Sequence, residues 1–67
     1  MSSVAKVIEI IASSEKSFED AVQNGIAKAS ESVKDITSAW VQDQSVKVKD
    51  SKVTKYRVVL KVTFIVK

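Results

Sequence analysis

The sequence predicts an α+β fold with its elements in the order β-α-β-β. Three observations predict it. Runs rich in β-branched residues stand at both ends of the chain, and each is apolar on both sides of a strand. A single stretch between them has helical periodicity. The pair Asp50-Ser51 separates two long strand-like runs, as the turn of a hairpin does.

The first strand is expected over residues 4–12, with Val7 and Ile11 on one face and Ile8 and Ile10 on the other. Ser13-Ser14-Glu15-Lys16 follows as a short polar connection. Ser17 is a good N-cap, and Glu19 and Asp20 fall in the first turn, where carboxylates favour the helix dipole. Asp20, third in the helix, imitates a capping box imperfectly, because that box prefers Glu or Gln. Phe18, Val22, Ile26, Ala29 and Val33 recur every three or four residues as one apolar stripe. Gly25 sits within the helix, where glycine costs roughly 1 kcal/mol relative to alanine. Either a close approach of helix to backbone requires it, or the helix carries the cost.

Residues 37–49 read as the second strand and residues 53–66 as the third. In the third, Tyr56, Val58, Leu60, Val62, Phe64 and Val66 form an apolar face. Val59 and Ile65 lie on the opposite face among Arg57, Lys61 and Thr63. A two-residue turn sets Gln44 against Arg57, Gln42 against Val59 and Trp40 against Lys61, all on one face. Ala39, Val41 and Ser45 then share the other face with Tyr56, Val58, Leu60 and Val62, and that face meets the helix. Asp43 falls among them, which a bulge nearby, or a position at the open end of the helix, resolves.

One helix covers one face of such a sheet. The other face needs a partner, most simply a second copy of the chain. Size leads to the same expectation. A single 67-residue domain buries only about 60% of its unfolded surface and is marginal alone. With no Cys and no His, disulfides and thiolate or imidazole metal sites are excluded as staples, which leaves association.

Composition also narrows the function. Without His or Cys, the common nucleophile–base pairs of catalysis are missing, and no glycine loop is present to cradle a phosphate. An enzyme is not expected. The net charge of +3 is mildly basic, but Arg57 is the only Arg and no basic tract interleaved with aromatics occurs, so nucleic acid is not an expected partner. No stretch approaches the roughly 20 apolar residues that cross a bilayer. The first twelve residues lack the pattern of a signal peptide, so the expected compartment is the cytoplasm.

Trp40 is the only Trp. With Gln42, Gln44 and Arg57 beside it, it makes either a stacking platform for a planar ligand, whose edge the amides read, or an aromatic anchor between subunits. Glu9 lies between Val7 and Ile11 on an apolar face. It either pairs with a Lys or Arg of another strand or subunit, or joins Asp43 or Asp20 as an oxygen ligand for a hard cation such as Ca2+.

Four segments in order carry a resemblance: Lys6-Val-Ile-Glu-Ile-Ile, Ser17-Phe-Glu-Asp-Ala-Val, Ala29-Ser-Glu-Ser-Val and Tyr56-Arg-Val-Val-Leu-Lys-Val-Thr-Phe. Together they resemble the dodecin family over nearly the whole chain. The resemblance implies a three-stranded antiparallel sheet partly wrapped around one helix, with twelve copies closing into a hollow shell. It also implies a non-enzymatic storage or buffering role, with riboflavin or FMN held at a subunit interface. Flavin-binding members resemble one another in a Trp that opens the second strand and a Gln after the aromatic of the third. Aligned through Val33-Lys-Asp-Ile36, this chain has Ser38 at the Trp position and Arg57 at the Gln position. Trp40 is two residues further on, hence on the same face and displaced by about 6–7 Å. Arg57 and Val41-Gln-Asp-Gln look more like the branch that includes a calcium dodecin. Two functions follow as expectations: a shell that holds flavin near Ser38, Trp40, Gln42, Gln44 and Arg57, or a structural or cation-binding shell with Asp43 and Glu9 as ligands and no flavin.

Overall fold

In the computed structural model, which describes residues 3–67, four elements follow the expected order: β1 (Val4–Ser14), α1 (Phe18–Ala29), β2 (Ile36–Lys49) and β3 (Lys52–Val66). Met1 and Ser2, at the start of the expected domain, lie outside the described residues. The strands form one antiparallel sheet in the order β1-β3-β2, so the most apolar strand is central.

The alternation in β3 decides which face is buried. Val58, Leu60 and Val62 are fully buried beneath α1, each worth about 1.5–3 kcal/mol on transfer from water. Ile8, Ile10 and Ala12 pair with Val62, Leu60 and Val58 and complete the floor. Phe18 meets Tyr56 edge to face, with ring centroids 5.1 Å apart.

Helix α1 starts where Ser17 predicts. The Ser17 hydroxyl accepts the Asp20 N–H at 3.0 Å. Asp20 does not close the reciprocal half of a capping box. Its carboxylate instead accepts the Ser14 hydroxyl at 2.6 Å and the Asn24 amide at 3.2 Å, tying the end of β1 to the helix. The helix stops at Ala29, short of Val33, the last member of the expected stripe. Ser30 bonds back to the Ile26 carbonyl at 2.7 Å, and Glu31 and Ser32 continue as a turn. The buried line of the helix is Ala21 and Gly25; the larger stripe residues flank it.

Asp50 and Ser51 both have positive φ, 52° and 65°, as a two-residue hairpin turn of type I′ demands. The ladder behind the turn departs from the expected register. Trp40 faces Lys61 and Val41 faces Leu60, but Asp43 then faces Val59 and Gln44 faces Val58. Gln42 is the extra residue of a bulge at the position where Asp43 demanded one. Another irregularity, between Lys47 and Val48, leaves Thr54 as an extra residue of β3 and shifts the pairing of residues 43–47 by one. Asp43 thereby leaves the helix side of the sheet, and Gln42 returns Val41 and Trp40 to the expected register.

Helix α1 packs mainly on β1 and β3, and β2 beyond Ile36 is exposed along its whole length. Beyond the Ser14–Tyr56 pair, β2 and β3 run on as a two-stranded arm. The molecule measures 54 × 20 × 13 Å, with a radius of gyration of 13.9 Å. A compact domain of this length has about 11 Å. The arm is also strongly charged. Residues 45–57 carry four Lys and Arg57 against Asp50 alone, a net +4, which leaves the rest of the chain at −1.

Candidate functional site

The sheet face turned away from α1 is built from alternate residues of all three strands. Facing residues on neighbouring antiparallel strands project to the same side. Across the sheet, Glu9, Lys61 and Trp40 form one row; Ile11, Val59 and Asp43 form the next; Ser13, Arg57 and Ser45 form the third. Val7, Thr63 and Ser38 lie on the other flank of the first row. Among the described residues, no element covers this face. Val7 and Ile11 are more than half exposed, and Trp40 is 64% exposed.

Trp40 is the centre of the site. An indole on an edge strand with its ring open presents a flat apolar surface. The Lys61 ammonium stands over that ring, 5.7 Å from its centroid, within cation–π range. Lys61 and Arg57 balance Glu9 and Asp43 in formal charge, so the face is mixed rather than strongly basic.

The shifted stretch between Thr54 and Gln42 separates residues that the expected register joined. Ser38, Trp40 and Arg57 do share the uncovered face. Gln44 does not: it pairs with Val58 on the helix side, and Ser45 takes the place opposite Arg57. Gln42 has no ladder partner. At the bulge the Asp43 carboxylate accepts the backbone N–H of Gln44 at 2.8 Å, so one of its oxygens already has a local structural task. Glu9 and Asp43 lie on the two edge strands with β3 between them. Among the described residues, no three Asp or Glu side chains are grouped to hold a metal ion.

Lys61 is the residue that the sequence reading paired with Trp40 without assigning it to the site. Its position opposite the only Trp was the available signal. A separate concavity of about 370 Å³ lies between β1 and α1, lined by Ile10, Ala12, Gly25 and Ala29 with Asn24 and Lys28. The Asn24 amide there is taken up by Asp20, so few polar groups remain to orient a ligand. Among the described residues, no helix is long and apolar enough to cross a membrane.

Comparison with known proteins gives one consistent answer. A family described as Dodecin matches residues 4–67. Among solved structures, a dodecin from Thermus thermophilus is similar at 27% identity, with a TM-score of 0.94 and 98% of each chain covered. A dodecin from Streptomyces davaonensis, at 22% identity and a TM-score of 0.95, shares the fold over all of this chain and 98% of its own. A calcium dodecin from Mycobacterium tuberculosis, described as having a novel calcium-binding site, is similar at 38% identity, covering 96% of this chain and 91% of its own, with a TM-score of 0.83. No protein of curated function matches.

Proposed function

Since this chain belongs to the dodecin family, we propose that it acts without catalysing a reaction, as a closed homo-oligomeric shell that holds a planar small molecule, flavin foremost. The shell is a cytoplasmic assembly of twelve copies of this one domain. One observation carries the reading: Trp40, 64% exposed, stands on a sheet face that nothing in its own chain covers. The residues present fit a planar heterocycle in part. Trp40 offers a stacking surface, the Ser38 hydroxyl and Gln42 amide offer edge contacts, and Arg57 offers a cation for an anionic substituent.

The test is the absorbance of freshly purified protein, followed by titration of the stripped protein into riboflavin and FMN while flavin fluorescence is read. Flavin bands, or quenching at micromolar concentration, are expected. Trp40→Ala should weaken binding by about 1–3 kcal/mol, the usual worth of stacking on an aromatic. A colourless protein that leaves flavin fluorescence unchanged sinks the flavin reading.

A second reading has its own support in the 38% identity to the calcium dodecin. In it the shell binds Ca2+ through Asp43 and Glu9 contributed by different protomers, and binds no flavin. Calcium then raises the melting temperature through preferential binding to the folded form. Identical melting curves with calcium and with chelator dispose of it.

A further inference from the structure

We propose that Lys61 decides which planar molecules the Trp40 face accepts, and that it selects those bearing a negative charge. This role rests on Trp40 being the stacking platform described above. Lys61 is on the central strand, with Glu9 directly opposite on one side and Trp40 directly opposite on the other. Each neighbour is one strand spacing away, about 4.8 Å. The ammonium lies on the Trp40 side, 5.7 Å from the ring centroid. Lys61 itself is half-buried, whereas the arm lysines 47, 49, 52 and 55 are exposed.

A ligand stacking on that indole face has to move the ammonium. A neutral ring gives nothing back for the lost cation–π contact, and the ammonium turns to Glu9, the carboxylate directly opposite it. A ring with a phosphate or carboxylate arm keeps the ammonium close, because the cation can pair with the new charge after a small movement. The surroundings sharpen the choice. Four charged groups share this surface, Lys61 and Arg57 with Glu9 and Asp43. Removing Lys61 leaves the face net negative, which favours neutral ligands over anionic ones. Lys61 is thus the specificity-determining residue, and Glu9 is the positioning residue that receives the ammonium when a neutral ring binds.

Riboflavin and FMN are suited to the test because they share a ring system and differ in a phosphate. Affinities for both are measured by flavin quenching with the wild-type assembly and with Lys61→Met, Lys61→Arg and Glu9→Gln. Lys61→Met, which keeps the apolar stem, is expected to bind riboflavin about threefold tighter and FMN about threefold weaker. The FMN-to-riboflavin preference then falls about tenfold. Lys61→Arg, still a stacked cation, keeps the wild-type preference and shows that the site tolerates substitution. Glu9→Gln weakens riboflavin alone. If Lys61→Met changes both affinities by one common factor, or neither, the role of Lys61 is overturned while Trp40 remains the platform. If no form of the protein binds either flavin, the platform itself falls, and the role of Lys61 falls with it.

Discussion

Gly25 of helix α1 lies hard against Ala12 of β1: a Cβ on Gly25 would stand 3.0 Å from the Ala12 Cβ. The Leu60 Cδ1, at 3.1 Å, closes the same spot. Of the two explanations for a mid-helix glycine, close approach is the one the structure supports.

Gly25→Ala is therefore expected to destabilise the protein, although alanine is the better helix former by about 1 kcal/mol. Leu60 can rotate aside. The Ala12 Cβ is fixed to its strand and cannot. Overpacking costs about 1–3 kcal/mol, and an immovable neighbour selects the upper part of that range, for a net loss of about 1–2 kcal/mol. The urea midpoint measures it, and Ala12→Gly in the same chain should restore most of the loss. A raised midpoint for Gly25→Ala alone would contradict the close approach.

Ser51 holds a left-handed backbone at φ 65° with no side chain suited to it. Aspartate at position 50 tolerates that region; serine gains less from local hydrogen bonding there. Ser51→Gly should stabilise the arm by about 1 kcal/mol, net of the extra freedom glycine has when unfolded. Differential scanning calorimetry should show a rise of several degrees, and a fall would mean the turn is not of this type.

The start of α1 depends on two separate contacts. Ser17→Ala removes the cap from the Asp20 N–H and should cost about 1 kcal/mol. Ser14→Ala and Asp20→Ala both break the 2.6 Å contact between β1 and the helix, so their effects should not add. A double-mutant cycle with zero coupling would show that this contact contributes nothing.

Association is tested on β2. Val41 and Val46 face the helix side of the sheet but lie beyond the helix, about 40% exposed. Asp at either position disturbs nothing inside the protomer but places a charge in any contact that seals this surface. Wild-type protein should sediment far above 7.3 kDa, and Val41→Asp or Val46→Asp should shift it towards that mass. A wild-type species of about 7.3 kDa at low concentration, or variants that assemble normally, would refute the sealing of β2 by neighbouring copies.

Much of the fold was legible because each element announces itself. The alternation of Val58, Leu60 and Val62 names the buried face, Ser17 names the helix start, and Asp50-Ser51 names the turn. The pairing of Trp40 with Lys61 agrees with the turn length because two irregularities between the turn and this pair, at Thr54 and at Gln42, offset each other. What was not legible was the slip behind it. A bulge has no composition of its own, and only the misfit of Asp43 on an apolar face hinted at one. The extra residue Thr54 in β3 carried Gln44 to the wrong side for the site and Asp43 to the right one, and Gln42 then restored the register at Val41. The buried line of α1 escaped for a different reason: Ala21 and Gly25 are small, and a hydrophobic stripe is read from its large members. Val33 had the right spacing, yet the Ser30 to Ser32 stretch turns the chain before the helix reaches it.

Strand β2 has no helix of its own chain above it or below it, and its outer edge is unpaired. A freshly synthesised copy thus exposes a ready template for promiscuous strand pairing, the route by which sheets grow into fibrils. Yield in the cell is then a race between encounters of like copies and capture by unlike ones, governed by how fast the chains accumulate more than by how firmly each holds together.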